Sequence, residues 1–223
     1  TSLQEVRRIL EPGAAELAFS QLAQTKGQWT AFLETAAPEA EMFAPQRVKA
    51  ADWLKGRANP AVPVNWQPYA VWSSCDGSYA VTRGVWERPG STGSFATVWQ
   101  RQKNGGYKWL LDMSLATEQP PAPPEMISAR VAECAKGAAA KSRLQAAFAQ
   151  RIGEAAAQVA NDTIASVKKG GEGPDFHHGR ADDVTMFWQS DVESSGRRRF
   201  TFSVWNGQKF DTVLDTGVTP HGP

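Results

Sequence analysis

Asp112 stands between Leu111 and Met113, near the end of an apolar run. A carboxylate in such company holds its proton more tightly than in water, which suits a general acid or base. The competing reading is a strand-end residue that caps a turn or pairs with Arg101 or Arg83. Hydrogen-bond donors are available in Tyr69, Tyr79, Tyr107 and several tryptophan indoles. Buried in a core, each of these would equally need only one polar partner. Glu41 and Asp52 are further carboxylates, but both sit beside solvent-friendly residues.

Other chemistries find less support. No Ser-His-Asp arrangement is readable. His177 and His178 follow Asp175 in a Gly- and Lys-containing stretch, where adjacent histidines are usually solvated, so no metal is expected. Cys75 and Cys134 lack the close pairing of a zinc site. No Gly-rich loop falls between a strand and a helix, so no phosphate cradle and no cofactor are expected.

The two cysteines suit one disulfide in an exported protein; two buried thiols in a cytosolic protein would read the same. We expect the bridge. Cys75 precedes the tight Asp76-Gly77 turn, and Cys134 follows a Pro-rich stretch where the chain must turn back. A bridge requires the two Cα atoms to lie within about 7 Å.

The elements that must position these residues are legible from periodicity. Leu3 to Thr25 reads as helix, with Val6, Ile9, Leu10, Ala14, Leu17, Ala18 and Leu22 as its apolar stripe. Pro12 is expected to end one short helix and let a second begin, and Gly27 to stop it. Trp29 to Thr35 and Ala50 to Lys55 read as short helices, with a short strand at Glu41 to Val48 between them. Val64 to Leu115 then carries consecutive antiparallel strands marked by Trp66, Trp72, Trp86, Trp99 and Trp109. Turns are expected at Asp76-Gly77, Pro89 to Gly93 and Asn104 to Gly106. Both strand faces carry apolar bulk, so one must meet helices and the other something else.

Thr117 to Pro124 is a Pro-rich, extended linker. Beyond it, Ser142 to Ala160 reads as helix, with Leu144, Phe148, Ile152, Ala155 and Val159 in one stripe. Lys168 to Asp183 reads as a loop. Val184–Val192, Arg199–Trp205 and Lys209–Leu214 read as a three-strand meander, turning at Ser194-Ser195-Gly196 and at Asn206-Gly207.

The order of helices, short strand, short helix and long meander resembles the SnoaL-like, ketosteroid isomerase-like branch of the nuclear transport factor 2-like superfamily. The resemblance covers about residues 2–116. Gly77 to Trp86 looks like the family strand that ends in a small residue and an aromatic. Thr97 to Gln102, followed by Gly105 to Asp112, looks like the family's final hairpin. The resemblance implies an α+β fold: a cone-shaped, curved antiparallel sheet covered by N-terminal helices. It also implies a carboxylate in the cone, for which Asp112 is the candidate catalytic residue. Members with a histidine base find no counterpart, since all three histidines lie outside this half. The expected division is a cone domain at 1–116, a linker at 117–125 and an α+β extension, a helix plus three-strand meander, at 126–223.

The cone suggests an aromatic-lined cavity with Trp29, Phe32, Phe43, Trp53, Trp86, Trp99 and Asp112 as its lining. The alternative is that these side chains simply fill the core. Three functions remain open. The leading one is a non-catalytic binding or accessory domain for a small apolar or aromatic molecule. The others are an isomerase, cyclase or dehydratase with Asp112 as general base, and an interaction module that forms a homodimer. Lys+Arg 24 against Asp+Glu 23 leaves a charge of +1, which argues against nucleic acid as a partner. The Arg197-Arg198-Arg199 run reads as a solvated loop end. No apolar run reaches the roughly 20 residues of a membrane span. The start at Thr1 suggests that a preceding segment was removed, by export processing or by choice of the expressed segment. A periplasmic or secreted location is expected, with cytoplasmic as the alternative.

Overall fold

The computed structural model describes residues 3–44, 46–117, 122, 125–168, 175–192 and 197–218. The chain divides into two units: Thr1–Ser73 with Gly77–Val131, and Ser74–Asp76 with Ala132–Pro223.

The first unit runs α1 (Leu3–Lys26), α2 (Gln28–Thr35), β1 (Ala36–Phe43), β2 (Arg47–Lys49), α3 (Ala50–Leu54), β3 (Asn65–Ser73), β4 (Tyr79–Arg88), β5 (Ser91–Arg101), β6 (Tyr107–Ala116) and β7 (Ser128–Val131). It is the helix-covered, curved sheet expected from the sequence. The strands are ordered β2-β1-β6-β5-β4-β3-β7. The meander β3 to β6 is antiparallel throughout. The sheet as a whole is mixed, because β1 pairs with β6 and β7 pairs with β3 in parallel. Period-two alternation encodes which face a residue takes, not the direction of its partner, and strands arriving through long connections can pair in parallel.

Helix α1 differs from expectation in two ways. It is continuous through Pro12. A proline costs about 3 kcal/mol in a helix interior, and here packing of the helix onto the sheet outweighs it. Its buried face is also not the apolar stripe read from the sequence. Val6, Leu10 and Leu17 are exposed, while Glu16, Phe19, Ser20 and Ala23 are buried. The helix turns a carboxylate inward because that carboxylate has partners there. Gly27, at φ 102°, ends α1 and opens α2.

Cross-strand register defines the face of the sheet beneath α1. Trp66 lies opposite Trp86, and Ala80 opposite Trp99. Thr82, Thr97 and Asp112 form one row across β4, β5 and β6. Gly93 sits under Trp86, where any side chain would run into the indole and the Leu115 carbonyl. On the opposite face Val81, Val98, Leu111 and Met113 are also buried.

The second unit comprises the Ser74–Asp76 segment, α4 (Ala138–Lys168), β8 (Asp175–Arg180), β9 (Met186–Val192), β10 (Arg198–Trp205) and β11 (Phe210–Val218). Its sheet has four antiparallel strands, ordered β11-β10-β9-β8, not the three expected. The extra strand β8 lies where the Gly, Lys and His content predicts a loop, and Asp175–Arg180 holds no β-branched residue to mark a strand. Its pairing with β9 is carried by backbone hydrogen bonds. Leu144 of α4 packs with Val184, Phe187, Trp205 and Phe210, flanked by Phe148 and Ile152, which matches the expected stripe. Arg198 and Arg199 open β10, and Arg199 donates twice to Asp215, at 2.9 and 2.7 Å. Most of the Pro-rich linker, the Ser194-Ser195-Gly196 turn and His221 lie outside the described residues.

Cys75 and Cys134 form the expected disulfide, with Cα atoms 5.2 Å apart. Around it, the Asp76 amide donates to Asp183 at 2.8 Å and the Asp183 amide donates back to Asp76 at 3.0 Å. The Cys75 amide donates to the Thr185 hydroxyl at 2.9 Å. No helix of the described residues is long and apolar enough to cross a membrane.

Candidate functional site

The polar centre of the first unit is built on Glu16, whose side chain projects from α1 onto the sheet and has no accessible surface. Three donors hold it. Trp66 Nε1 donates to Oε1 at 2.7 Å; Thr82 Oγ1 and Trp99 Nε1 donate to Oε2 at 2.6 and 3.1 Å. Trp99 Nε1 also reaches Thr82 Oγ1 at 2.9 Å. Burial pushes the Glu16 carboxyl up, and its hydrogen bonds, the one from Thr82 foremost, pull it back.

Asp112 lies two strands from Thr82 in the same row, on the face that α1 covers. Thr97 Oγ1 donates to its Oδ2 at 3.1 Å. Asp112 keeps some accessible surface, unlike Glu16. It is still enclosed closely enough that burial dominates its proton affinity. Burial first, and then the negative Glu16, push its carboxyl up to about 7, against the Thr97 hydrogen bond. Neither Arg101 nor Arg83 serves as its partner: Arg101 approaches Glu11 at 3.9 Å, and Arg83 lies over the Tyr69 ring. The arrangement is a carboxyl able to take up and release a proton near neutral pH, backed by a second carboxylate.

The other lining candidates separate. Phe32 and Trp99 are buried and belong to an edge-to-face aromatic network with Phe19, Trp66 and Trp109. Trp86 is buried beside Trp66, with Nε1 donating to the Ser94 carbonyl at 3.1 Å. Trp29 and Trp53 are half-buried and meet edge to face at 5.0 Å, with the Arg57 guanidinium 3.5 Å above Trp53. Phe43 neighbours Met42, the strand partner of Asp112, so the pleat sends Phe43 to the face opposite Asp112. There it meets Arg47, which pairs with Glu41 at 3.1 Å.

Tyr107 donates to the Gly77 carbonyl at 2.6 Å and so secures a turn. His177 contacts Asp175 at 3.1 Å, and His178 is exposed. Among the described residues no group of three or more His, Cys, Asp or Glu side chains could hold a metal ion.

Sequence reasoning missed Glu16. A signal was present: buried indoles need acceptors, and Glu16 shares an i, i+3, i+4 and i+7 face with Phe19, Ser20 and Ala23.

No protein-family model matches the chain, and no curated protein matches it. Solved structures similar to part of it include a candidate ketosteroid isomerase from Parabacteroides distasonis, 14% identical, with TM-score 0.38, covering 46% of this chain and 85% of that one. Another is an NTF-2 like protein of unknown function from Silicibacter pomeroyi, 14% identical, with TM-score 0.35, covering 47% of this chain and 94% of that one. A third is an NTF2-like superfamily protein from Salmonella enterica, 14% identical, with TM-score 0.36, covering 52% of this chain and 93% of that one.

Proposed function

We propose that the first unit binds a small, largely apolar or aromatic molecule on the sheet face beneath α1, with Asp112 as its polar contact. One observation carries this reading. Asp112 is a half-buried residue backed by the Glu16 carboxyl, and among the described residues one donor, Thr97, serves its two oxygens. A ligand group would complete its hydrogen bonding, and Trp29 and Trp53 supply half-buried aromatic surface in the same unit. The disulfide supports an exported setting, periplasmic or secreted. The test is titration with a neutral naphthyl ketone, followed by fluorescence. Saturable binding, weakened at least tenfold by Asp112→Ala, is expected. Absence of saturable binding, or equal affinity in the variant, would refute the reading.

A second reading, an isomerase, cyclase or dehydratase, is favoured by the position of the Asp112 titration at about 7, where a general base works best. It predicts turnover of an enolisable ketone by the wild type and none by Asp112→Asn. Exchange of the ketone's α-protons for deuterium at the buffer rate in both proteins would exclude enolisation chemistry.

A further inference from the structure

Glu16 and Asp112 are unequally supplied with hydrogen bonds. Glu16 accepts from Trp66, Thr82 and Trp99. Asp112 accepts from Thr97 alone among the described residues, and only at Oδ2. The row Thr82–Thr97–Asp112 carries both carboxyls on one face, Glu16 held by Thr82 and Asp112 by Thr97, whose hydroxyl has one hydrogen to give. Two carboxylates so placed cannot both stay charged at low cost, and the first proton goes to the carboxyl with fewer donors. Glu16 keeps the charge and Asp112 takes the proton.

Among the described residues no cation offsets this. From α1 the facing titratable group is Glu16. Strand β4 presents Thr82, β5 presents Thr97 and Trp99, β3 presents Trp66, and β1 sets Met42 opposite Asp112. The Glu11–Arg101 pair, from α1 and β5, is 3.9 Å apart, and both side chains are well exposed.

We propose that Glu16 is a positioning residue: its fixed charge holds the proton on Asp112, so the site takes up a neutral molecule with a hydrogen-bond-accepting oxygen and releases it when Asp112 ionises. The ligand clause rests on the binding reading above; the proton clause does not. With Thr97 donating to Oδ2, the acid proton sits on Oδ1, free to meet a carbonyl oxygen. Ionisation turns Oδ1 into an acceptor facing an acceptor, and the contact becomes repulsive. Glu16 acts on this exchange through Asp112 and never touches the bound molecule.

The proton clause is tested on the ligand-free protein with 13C-labelled aspartate. The Asp112 carboxyl signal, assigned by its loss in Asp112→Asn, is followed from pH 4 to 9. In the wild type the midpoint is expected above pH 6. Glu16→Gln should lower it by at least one unit, a tenfold loss in proton affinity. Thr97→Val should raise it, because Asp112 loses its donor. A wild-type midpoint below 5, which needs no variant to fold, overturns the proposal, as does an unshifted midpoint in a folded Glu16→Gln protein. The ligand clause is tested with the neutral ketone 6-propionyl-2-(dimethylamino)naphthalene. Its affinity should fall about tenfold or more between pH 6 and 8.5 in the wild type and stay constant in Asp112→Asn. Constant affinity in the wild type overturns the gating. No binding at any pH overturns the ligand reading and leaves the midpoint result to be judged by itself.

Discussion

Asp112 holds its proton more tightly in the folded protein than in the unfolded chain, with its carboxyl raised from 3.8 to about 7. Between these values the folded state binds a proton that the unfolded state does not, so stability falls as pH rises through this window. The loss is at most about 4 kcal/mol and is shared with Glu16, whose carboxyl is raised in the same direction. Asp112→Asn keeps the shape and an acceptor for Thr97 but cannot ionise. Thermal unfolding at pH 4.5 and pH 8 should show the variant near wild type at the lower pH and more stable at the higher one. Asp183 is also raised, by burial first, so some decline with pH should persist in both proteins. A variant less stable than wild type at pH 8 would contradict the assignment of a costly charge to this position. Glu16 is costly by burial too, but three donors fix its place. The site thus joins a satisfied carboxylate to an under-supplied one.

At the level of elements, the turn between β8 and β9 carries an unusual backbone. Val184 has φ 65° although it is β-branched and buried. The left-handed conformation costs such a residue roughly 1–3 kcal/mol, and burial with Leu144, Phe187, Trp205 and Phe210 offsets it. Val184→Ala loses the packing and keeps most of the strain, whereas Val184→Gly loses slightly more packing and removes the strain. Urea unfolding should therefore find the glycine variant more stable than the alanine variant, by about 1 kcal/mol. The reverse order would show that the turn relaxes without Val184. The disulfide is the other device at this scale. It closes a span of 59 residues from the β3–β4 connection to the segment after β7. Replacing both Cys75 and Cys134 with serine should cost about 4 kcal/mol in the chain-entropy model, read as a lower urea midpoint that added reductant no longer changes.

At the scale of the whole molecule, the two units are not cut at one point of the chain. The second unit includes Ser74–Asp76, and with it Cys75 and the reciprocal Asp76–Asp183 amide bonds. A fragment of residues 126–223 keeps α4 and the four-stranded sheet but lacks these partners. It leaves Cys134 unpaired and Asp183 without its reciprocal partner. Such a fragment should give a collapsed or aggregated product without a dispersed amide NMR spectrum, whereas the full chain should give one. A well-dispersed fragment spectrum would show that the β3–β4 connection is dispensable.

What could be read from the sequence was what spacing encodes locally. Tyr79 to Glu87 alternates with period two, and its glycine-bearing neighbours turn the chain, so the meander and the existence of the helices before it were legible. The cysteine pair was legible as a candidate bridge, from one cysteine at a strand end and one after the linker, but two buried thiols read the same until the fold sets their Cα atoms 5.2 Å apart. The direction of pairing for β1 and β7, the strand at Asp175–Arg180 and the rotation of α1 were not. Glu16 shows why. Read locally, it is a polar residue that belongs on the wet face of a helix, and the exposed Val6, Leu10 and Leu17 look like the core stripe. Its partners lie 50, 66 and 83 residues away, at Trp66, Thr82 and Trp99. Only folding brings them around one carboxylate, and only that enclosure, which costs more than an exposed charge unless every oxygen is answered, decides which face of α1 turns inward and what proton Asp112 keeps.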